Sequence, residues 1–246
     1  AFARLVQEAG FPAGVVNVLT GFGPRCGAVL TSHPKVAHIA FTGGPDTASH
    51  IVRGSAENLA STSLELGGKS PFIVFEDADL ESAANAQVSG IFAASGQSCV
   101  AGSRLVVAAS VKEAFLAKLK AKAEAVIIGA PDDMATEVGP LCTAAQVARA
   151  EDIIARSLAA GATLVTGGTR LEGAGHYFPP TILDCSAAPD APCLTEEFFG
   201  PVLSAVSFES EAEALDIAND TAFGLASGVF TTSLTRAHRM IRGILA

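Results

Sequence analysis

The chain has 246 residues, 49% of them apolar and 17% charged, with a formal net charge of −9. That balance fits a globular chain with room for one large or two small domains, and it excludes a disordered one. The acidic excess argues against a nucleic-acid surface, and no apolar run approaches the ~20 residues that cross a bilayer.

In chain order, Ala1 to Ala9 is amphipathic and stops at Gly10 and Pro12, which predicts a helix. Arg4 and Glu8 within it are unlike the apolar core of a secretory signal. The β-branched run Val15 to Leu19 predicts a buried strand. Gly21-Phe22-Gly23-Pro24-Arg25-Cys26-Gly27 leads into a helix expected to reach about Ser32. A strand is expected over Val36 to Phe41. Thr42-Gly43-Gly44-Pro45-Asp46 then places proline at a helix start, with the helix running to about Ala56. Ser61 to Leu66 predicts a third strand. Strands alternating with helices imply a parallel sheet of βα units. Two glycine-rich turns could cradle a dinucleotide. Gly21-x-Gly23-x-x-x-Gly27 carries one residue too many for the usual fingerprint and is equally an ordinary α/β turn. Gly43-Gly44, at a helix start, offers backbone N–H groups and the helix dipole to a pyrophosphate.

A second α/β unit is expected from Gly67 onward. Pro71 to Phe75 reads as a buried strand, and Asp77-Ala78-Asp79 supplies an N-cap for a helix over Leu80 to Ser95. A strand at Leu105 to Ala108 precedes a helix over Val111 to Val126, with Phe115, Leu119 and Ala123 on one face. Ala144 to Ala160 predicts a helix with Val147, Ile153 and Ile154 inward and Gly161 as its stop. Ala162 to Thr166 reads as a strand and Leu171 to Pro192 as loop. Val202 to Phe208 predicts a strand, Glu211 to Asn219 a helix and Gly228 to Thr231 a strand, and Leu234 to Leu245 is amphipathic.

The five cysteines, Cys26, Cys99, Cys142, Cys185 and Cys193, are odd in number and scattered. They suggest neither a disulfide framework nor a zinc site, and a reducing cytoplasm is the expected compartment. The histidines show no metal-ligand spacing. Cys99 stands apart, because Gly96-Gln97-Ser98-Cys99 lies at a junction between a helix and a strand, where a side chain can face a cleft. Taken alone, a free cysteine is more often a small core hydrophobe. A second stretch changes the balance: in Ser63-Leu64-Glu65-Leu66-Gly67-Gly68-Lys69-Ser70-Pro71 a carboxylate sits in apolar flanks that would raise its pKa, followed by paired glycines that allow a sharp turn. A nucleophilic thiol and such a carboxylate are the two groups needed to form and then hydrolyse a thioester.

These stretches resemble the aldehyde dehydrogenase superfamily. Glu65 to Pro71 matches its E-L-G-G-K-(S/T/N)-P motif, Gly96 to Cys99 its G-Q-x-C motif, and Glu197-Phe198-Phe199-Gly200-Pro201 its E-x-F-G-P motif. The resemblance runs the length of the chain. It implies an aldehyde-dehydrogenase-like α/β fold, with residues 1–66 the later part of a Rossmann-type, parallel-sheet dinucleotide-binding domain. Residues 67–246 would be an α/β catalytic domain truncated at its C-terminus, with the active cleft between the two. It implies oxidation of a small aldehyde to a carboxylic acid with NAD or NADP as hydride acceptor. Cys99 would form the thiohemiacetal and thioester, its backbone N–H would meet the oxyanion, and Glu65 would activate the hydrolytic water. Ser98 and Val100 would line the substrate tunnel.

Cofactor contacts follow from the same resemblance. Phe41-Thr42-Gly43-Gly44 stands where the family has F-T-G-S, so a side-chain hydroxyl is missing and the backbone N–H groups of Gly43 and Gly44 remain. Gly23 and Leu66 would border the dinucleotide, Glu197 would hold the nicotinamide ribose, Phe199 would pack beside the ring and Gln146 would touch the ribose. Lys69 reads as structural, and no metal is implied. The family's full chain is longer, so an internal segment is expected, one that alone would fold poorly or be inactive with an exposed sheet edge. The full-length protein would be a homodimer or homotetramer. Two other readings stay open: an acylating or semialdehyde-specific member, and a catalytically silent relative that binds or scaffolds. Family branches that pass the acyl group to coenzyme A or release a semialdehyde from an acyl phosphate typically lack the glutamate.

Overall fold

The computed structural model describes residues 1–245, which form two compact units that meet in sequence between Leu66 and Gly67. Among the described residues no helix is long and apolar enough to cross a membrane.

The first unit opens with helix α1 (Phe2–Glu8). One π-helical turn, Gly23–Gly27, runs straight into α2 (Ala28–Thr31). Strand β1 (His38–Thr42), helix α3 (Pro45–Ser55) and strand β2 (Ser61–Glu65) follow. The two strands pair in parallel, from His38 opposite Ser61 to Thr42 opposite Glu65. Helix α3 starts where proline's fixed φ is pre-set for a first turn, and it turns Ala48 and Ile51 inward. The run from Val15 to Leu19 is not a strand. It lies in turn and irregular backbone with Val15, Val16, Val18 and Leu19 exposed. A β-branched run becomes a strand only where a neighbour pairs its backbone groups, and among the described residues none does.

The second unit is built on six strands: β3 (Pro71–Val74), β4 (Arg104–Ala108), β5 (Thr163–Thr166), β6 (Thr181–Asp184), β7 (Val202–Phe208) and β8 (Gly228–Phe230). Their spatial order is β5-β6-β7-β4-β3-β8, and every neighbouring pair is parallel except β5 with β6. Every residue of β3 and β4 is buried; apart from Arg104 their sequences are continuously apolar, as strands covered on both faces require. The strand period of two then sorts their side chains. Phe72, Val74, Leu105 and Val107 pack with Ile91 of α4 (Leu80–Phe92) and with Phe115 and Leu119 of α5 (Lys112–Ala125). Ile73, Phe75, Val106 and Ala108 turn to the other face. There they meet Ala214 and Ala218 of α8 (Glu211–Asn219) and Met240 of α9 (Leu234–Gly243). A further cluster joins Val147, Ile153 and Ile154 of α6 (Ala144–Ala159) to Leu183, Phe198, Val202 and the short α7 (Pro192–Thr195).

Two boundaries differ from expectation. Helix α4 begins as its cap predicts, with the Asp79 carboxylate accepting from the backbone N–H groups of Glu81 and Ser82. It ends at Phe92, however, three residues short of Ser95. The stretch read as loop, Leu171 to Pro192, contains β6, whose pairing with both β5 and β7 makes it an interior strand. Its four residues, directly after Pro179-Pro180, are too few to show a period.

Candidate active site

Cys99 owes its position to a strained turn. After α4 the chain makes a 3-10 turn over Ala93–Gly96 in which Ala94, Ser95 and Gly96 have φ of 50°, 57° and 68°. Two non-glycine residues in the left-handed region cost about 1–3 kcal/mol each, so the surroundings must hold them. The Ser95 hydroxyl donates to the Gly139 carbonyl at 2.9 Å, and Gln97 N–H donates to the Ala94 carbonyl at 3.0 Å. Gly96 is required twice over. Its φ is left-handed, and a Cβ there would fall on the backbone of Gly200. The Gln97 side-chain oxygen accepts from Cys142 N–H at 3.0 Å. A turn closed by Ala101 N–H on the Ser98 carbonyl, at 3.1 Å, then carries Cys99 half-buried, with Val100 exposed beside it. The Cys99 N–H donates to no group among the described residues, so a donor stands ready beside the thiol for a developing oxyanion.

The other two motifs of this unit close on that turn. A Cβ on Gly68 would lie 2.5 Å from the Cys99 carbonyl oxygen, and a Cβ on Gly67 would collide with the Glu197 carboxylate. Gly68 N–H donates to Glu197 Oε1 at 3.1 Å. The paired glycines therefore serve close approach; neither has the left-handed φ that a sharp turn would demand. Glu197 is held from its own side as well. Arg149 Nε donates to its carbonyl at 2.9 Å, and Arg156 grips the neighbouring Glu196 through both carboxylate oxygens, at 2.7 and 3.0 Å. Phe198 is buried, and Phe199 turns back half-buried at φ 52°. At the start of α6 the Thr143 hydroxyl caps Gln146 N–H at 3.3 Å, while the Gln146 side-chain oxygen is buried without a hydrogen-bond partner. A carboxylate with one oxygen engaged and an orphaned amide oxygen are acceptors suited to the hydroxyls of a bound sugar.

Glu65, Leu66, Gly43, Gly44 and Gly23 belong to the first unit. Glu65 ends β2 with its side chain exposed, so the apolar enclosure suggested by Leu64 and Leu66 is absent there; both leucines are only half-buried. Its carbonyl accepts Gly43 N–H at 3.0 Å. That bond corrects the expectation that Gly43 keeps a free N–H: the sheet has taken it. Gly43 is nonetheless needed, because a Cβ there would meet the Phe41 ring. Gly44 is the N-cap of α3, whose first N–H groups have no partner within the helix. Gly23 opens the π turn with open space at its Cα.

Sequence reasoning missed the layer beneath Glu197. Lys69 is fully buried, its Nζ has no hydrogen-bond partner, and it sits 4.7 Å from the centroid of the Phe198 ring. Burial pushes its ammonium down to about 8, opposed by the thiol of Cys193 and aided by Arg104. Cys193 and Cys185 are buried with their sulfurs 3.1 Å apart. Their shared hydrogen bond holds the Cys185 thiol up and draws the Cys193 thiol down. A lysine between Gly68 and Ser70 gives no local sign of burial.

The model of the aldehyde dehydrogenase family matches residues 1–246, and the chain belongs to that family. Over 243 residues it is 64% identical to the (Z)-2-((N-methylformamido)methylene)-5-hydroxybutyrolactone dehydrogenase of Acinetobacter baylyi, which covers 99% of this chain and 50% of that one. Among solved structures, PnpE in complex with nicotinamide adenine dinucleotide superposes with a TM-score of 0.95 at 41% identity, over 99% of this chain and 50% of that one. An Escherichia coli NADP-dependent enzyme does so with a TM-score of 0.95 at 39% identity, again over 99% and 50%. The chain spans about half the length of the curated relatives it matches.

Proposed function

We propose that this chain carries the nucleophile and the cofactor-facing carboxylate of an NAD(P)-dependent aldehyde dehydrogenase. The observation that carries the reading is the convergence, within one unit, of the Cys99 turn, the Gly67-Gly68 pair and Glu197. In this reading residues 1–66 are the later part of the dinucleotide-binding domain and residues 67–246 the catalytic domain. The Cys99 thiolate adds to the aldehyde carbonyl, and the free Cys99 N–H meets the resulting oxyanion of the thiohemiacetal. The nicotinamide cofactor, when bound, supplies the acceptor for the hydride that leaves the same carbon. The thioester on Cys99 is then attacked by water, from which Glu65 takes a proton, releasing the carboxylic acid and the thiol. Glu197 and Gln146 hold ribose hydroxyls, Phe199 borders the nicotinamide, and Gly44, Gly23 and Leu66 line the dinucleotide. Relatives bound to NAD and dependent on NADP leave both cofactors within the proposal.

The 64% identical relative suggests a substrate class. A 5-hydroxybutyrolactone is the ring-closed form of a 4-oxo acid, so opening the ring frees an aldehyde next to a carboxylate-bearing chain. We place the substrate among such aldehyde acids and their cyclic forms. The scattered free thiols suit a reducing cytoplasm, and a homodimer or homotetramer is proposed for the full-length protein.

The test is reduction of NAD and NADP by the full-length protein with a panel of simple aldehydes, 4-oxo acids and 5-hydroxybutyrolactones. The wild type should turn over at least one class, and Cys99→Ser should abolish it. Glu65→Gln should release one equivalent of reduced cofactor and stall with a thioester on Cys99, visible as added mass. Wild-type turnover retained in Cys99→Ser would defeat the proposal.

A further inference from the structure

We infer that Lys69 is a positioning residue for Glu197, holding that carboxylate through its buried side chain and the face of Phe198. The inference rests on the reading of Glu197 as a cofactor contact. Lysine ordinarily keeps its ammonium in water while its stem covers apolar surface. Lys69 does not: it is 1% exposed and its Nζ has no hydrogen-bond partner. The group nearest to satisfying it is the π face of Phe198, at 4.7 Å from the centroid. Phe198 is itself 1% exposed and directly follows Glu197. The two segments are thus joined at three successive points. Gly67 leaves room for the Glu197 carboxylate, Gly68 N–H donates to it at 3.1 Å, and Lys69 lies on the next ring.

Packing alone would be served better by an aliphatic chain, which has no charge to desolvate. What the ammonium adds is a positive charge beneath a carboxylate that must stay in one place to grip a ribose. Of the groups facing Lys69, Cys193 attracts it most, Glu197, Glu196 and an ionised Cys185 attract it too, and Arg104 of β4 opposes it. Loss of the proton from Lys69 should then loosen Glu197 and weaken the cofactor.

The experiment is calorimetric titration of the full-length protein with NAD and with NADP, from neutral to alkaline pH. It compares wild type, Lys69→Met, Glu197→Gln and the double variant. Wild-type affinity should fall as pH rises through about 8. Lys69→Met should bind roughly tenfold more weakly at neutral pH and show no such fall. In the Glu197→Gln background the same Met substitution should change nothing further, since two residues acting as one unit are not additive. Should Lys69→Met fail to fold, the wild-type alkaline loss and its absence in Glu197→Gln read the same coupling. A folded Lys69→Met that binds like wild type, with the same pH profile, would show that Lys69 only fills space. Wild type that binds neither dinucleotide would instead overturn the cofactor reading of Glu197 itself.

Discussion

At the scale of the residue, Lys69 stores an unfavourable contribution to folding whose size depends on pH. Its folded pKa of about 8 lies below the ordinary 10.5. Between those values the unfolded chain binds more protons, so stability rises with pH there. The cost is fully present below about 8 and is relieved toward 10.5, and at neutral pH it amounts to ~3 kcal/mol. Denaturant melts should therefore show Lys69→Met more stable than wild type at neutral pH, with the gap closing as the solution becomes alkaline. A variant that gains stability while losing cofactor affinity is what a functional lysine at a buried site produces. The glycines divide in a similar way. Gly67→Ala meets the movable end of Glu197, so cofactor affinity should drop while the melting temperature scarcely changes. Gly96→Ala meets the backbone of Gly200 at a left-handed φ, and neither can yield. It should cost about 2–4 kcal/mol and abolish turnover. The motifs made these glycines visible in the sequence, but they did not say which contact each one permits.

At the scale of the element, β4 and α8 show how a buried charge can anchor a helix. Arg104, 2% exposed, donates through Nη1 to the Ile217 carbonyl at 2.5 Å and through Nη2 to the Ala218 carbonyl at 2.7 Å. It thereby closes the C-terminal end of α8, where helix carbonyls lack partners. Arg104→Met leaves the buried Ala218 carbonyl unpaired and the Ile217 carbonyl with only the Asp220 N–H, and should cost about 2–3 kcal/mol. Hydrogen exchange should find the added opening concentrated at Leu215 to Asn219. Elements with a clear period or a cap were legible in the sequence. The α6 pattern of Val147, Ile153 and Ile154 is buried as expected, and the Asp79 cap starts α4 where expected. The end of α4 was not legible, because Ala94 and Ser95 have ordinary helical propensity and leave the helix only under tertiary constraint. Strand β6 hid for the complementary reason: Thr181 to Leu183 are buried on both faces, so no alternation marks them.

At the scale of the whole molecule, the core is unevenly shared. Every residue of the three core clusters lies between Phe72 and Ile244. The first unit has one pair of strands and leaves large apolar side chains in water, Phe22 at 80% and Leu59 at 89% exposed among them. A unit that buries so little opens easily. Limited trypsinolysis of the 246-residue chain should therefore cut first at Arg25, Lys35 and Arg53 and leave a resistant fragment beginning near Gly67. Equal cleavage on both sides of Gly67 would contradict that order of stability.

The sequence by itself determined the family, the parallel α/β class and the identity of the three motifs. Those depend on residue type and spacing along the chain, which reaction chemistry and strand burial constrain directly. Only the tertiary structure decided what the motif residues touch. The Gly43 N–H is spent on Glu65, Gly67 and Gly68 make way for Glu197 and Cys99, and Lys69 carries its charge beneath Phe198. Those contacts join residues as much as 130 positions apart (Gly67 and Glu197), and at that separation proximity is set by the folded sheet and its covering helices, not by local pattern.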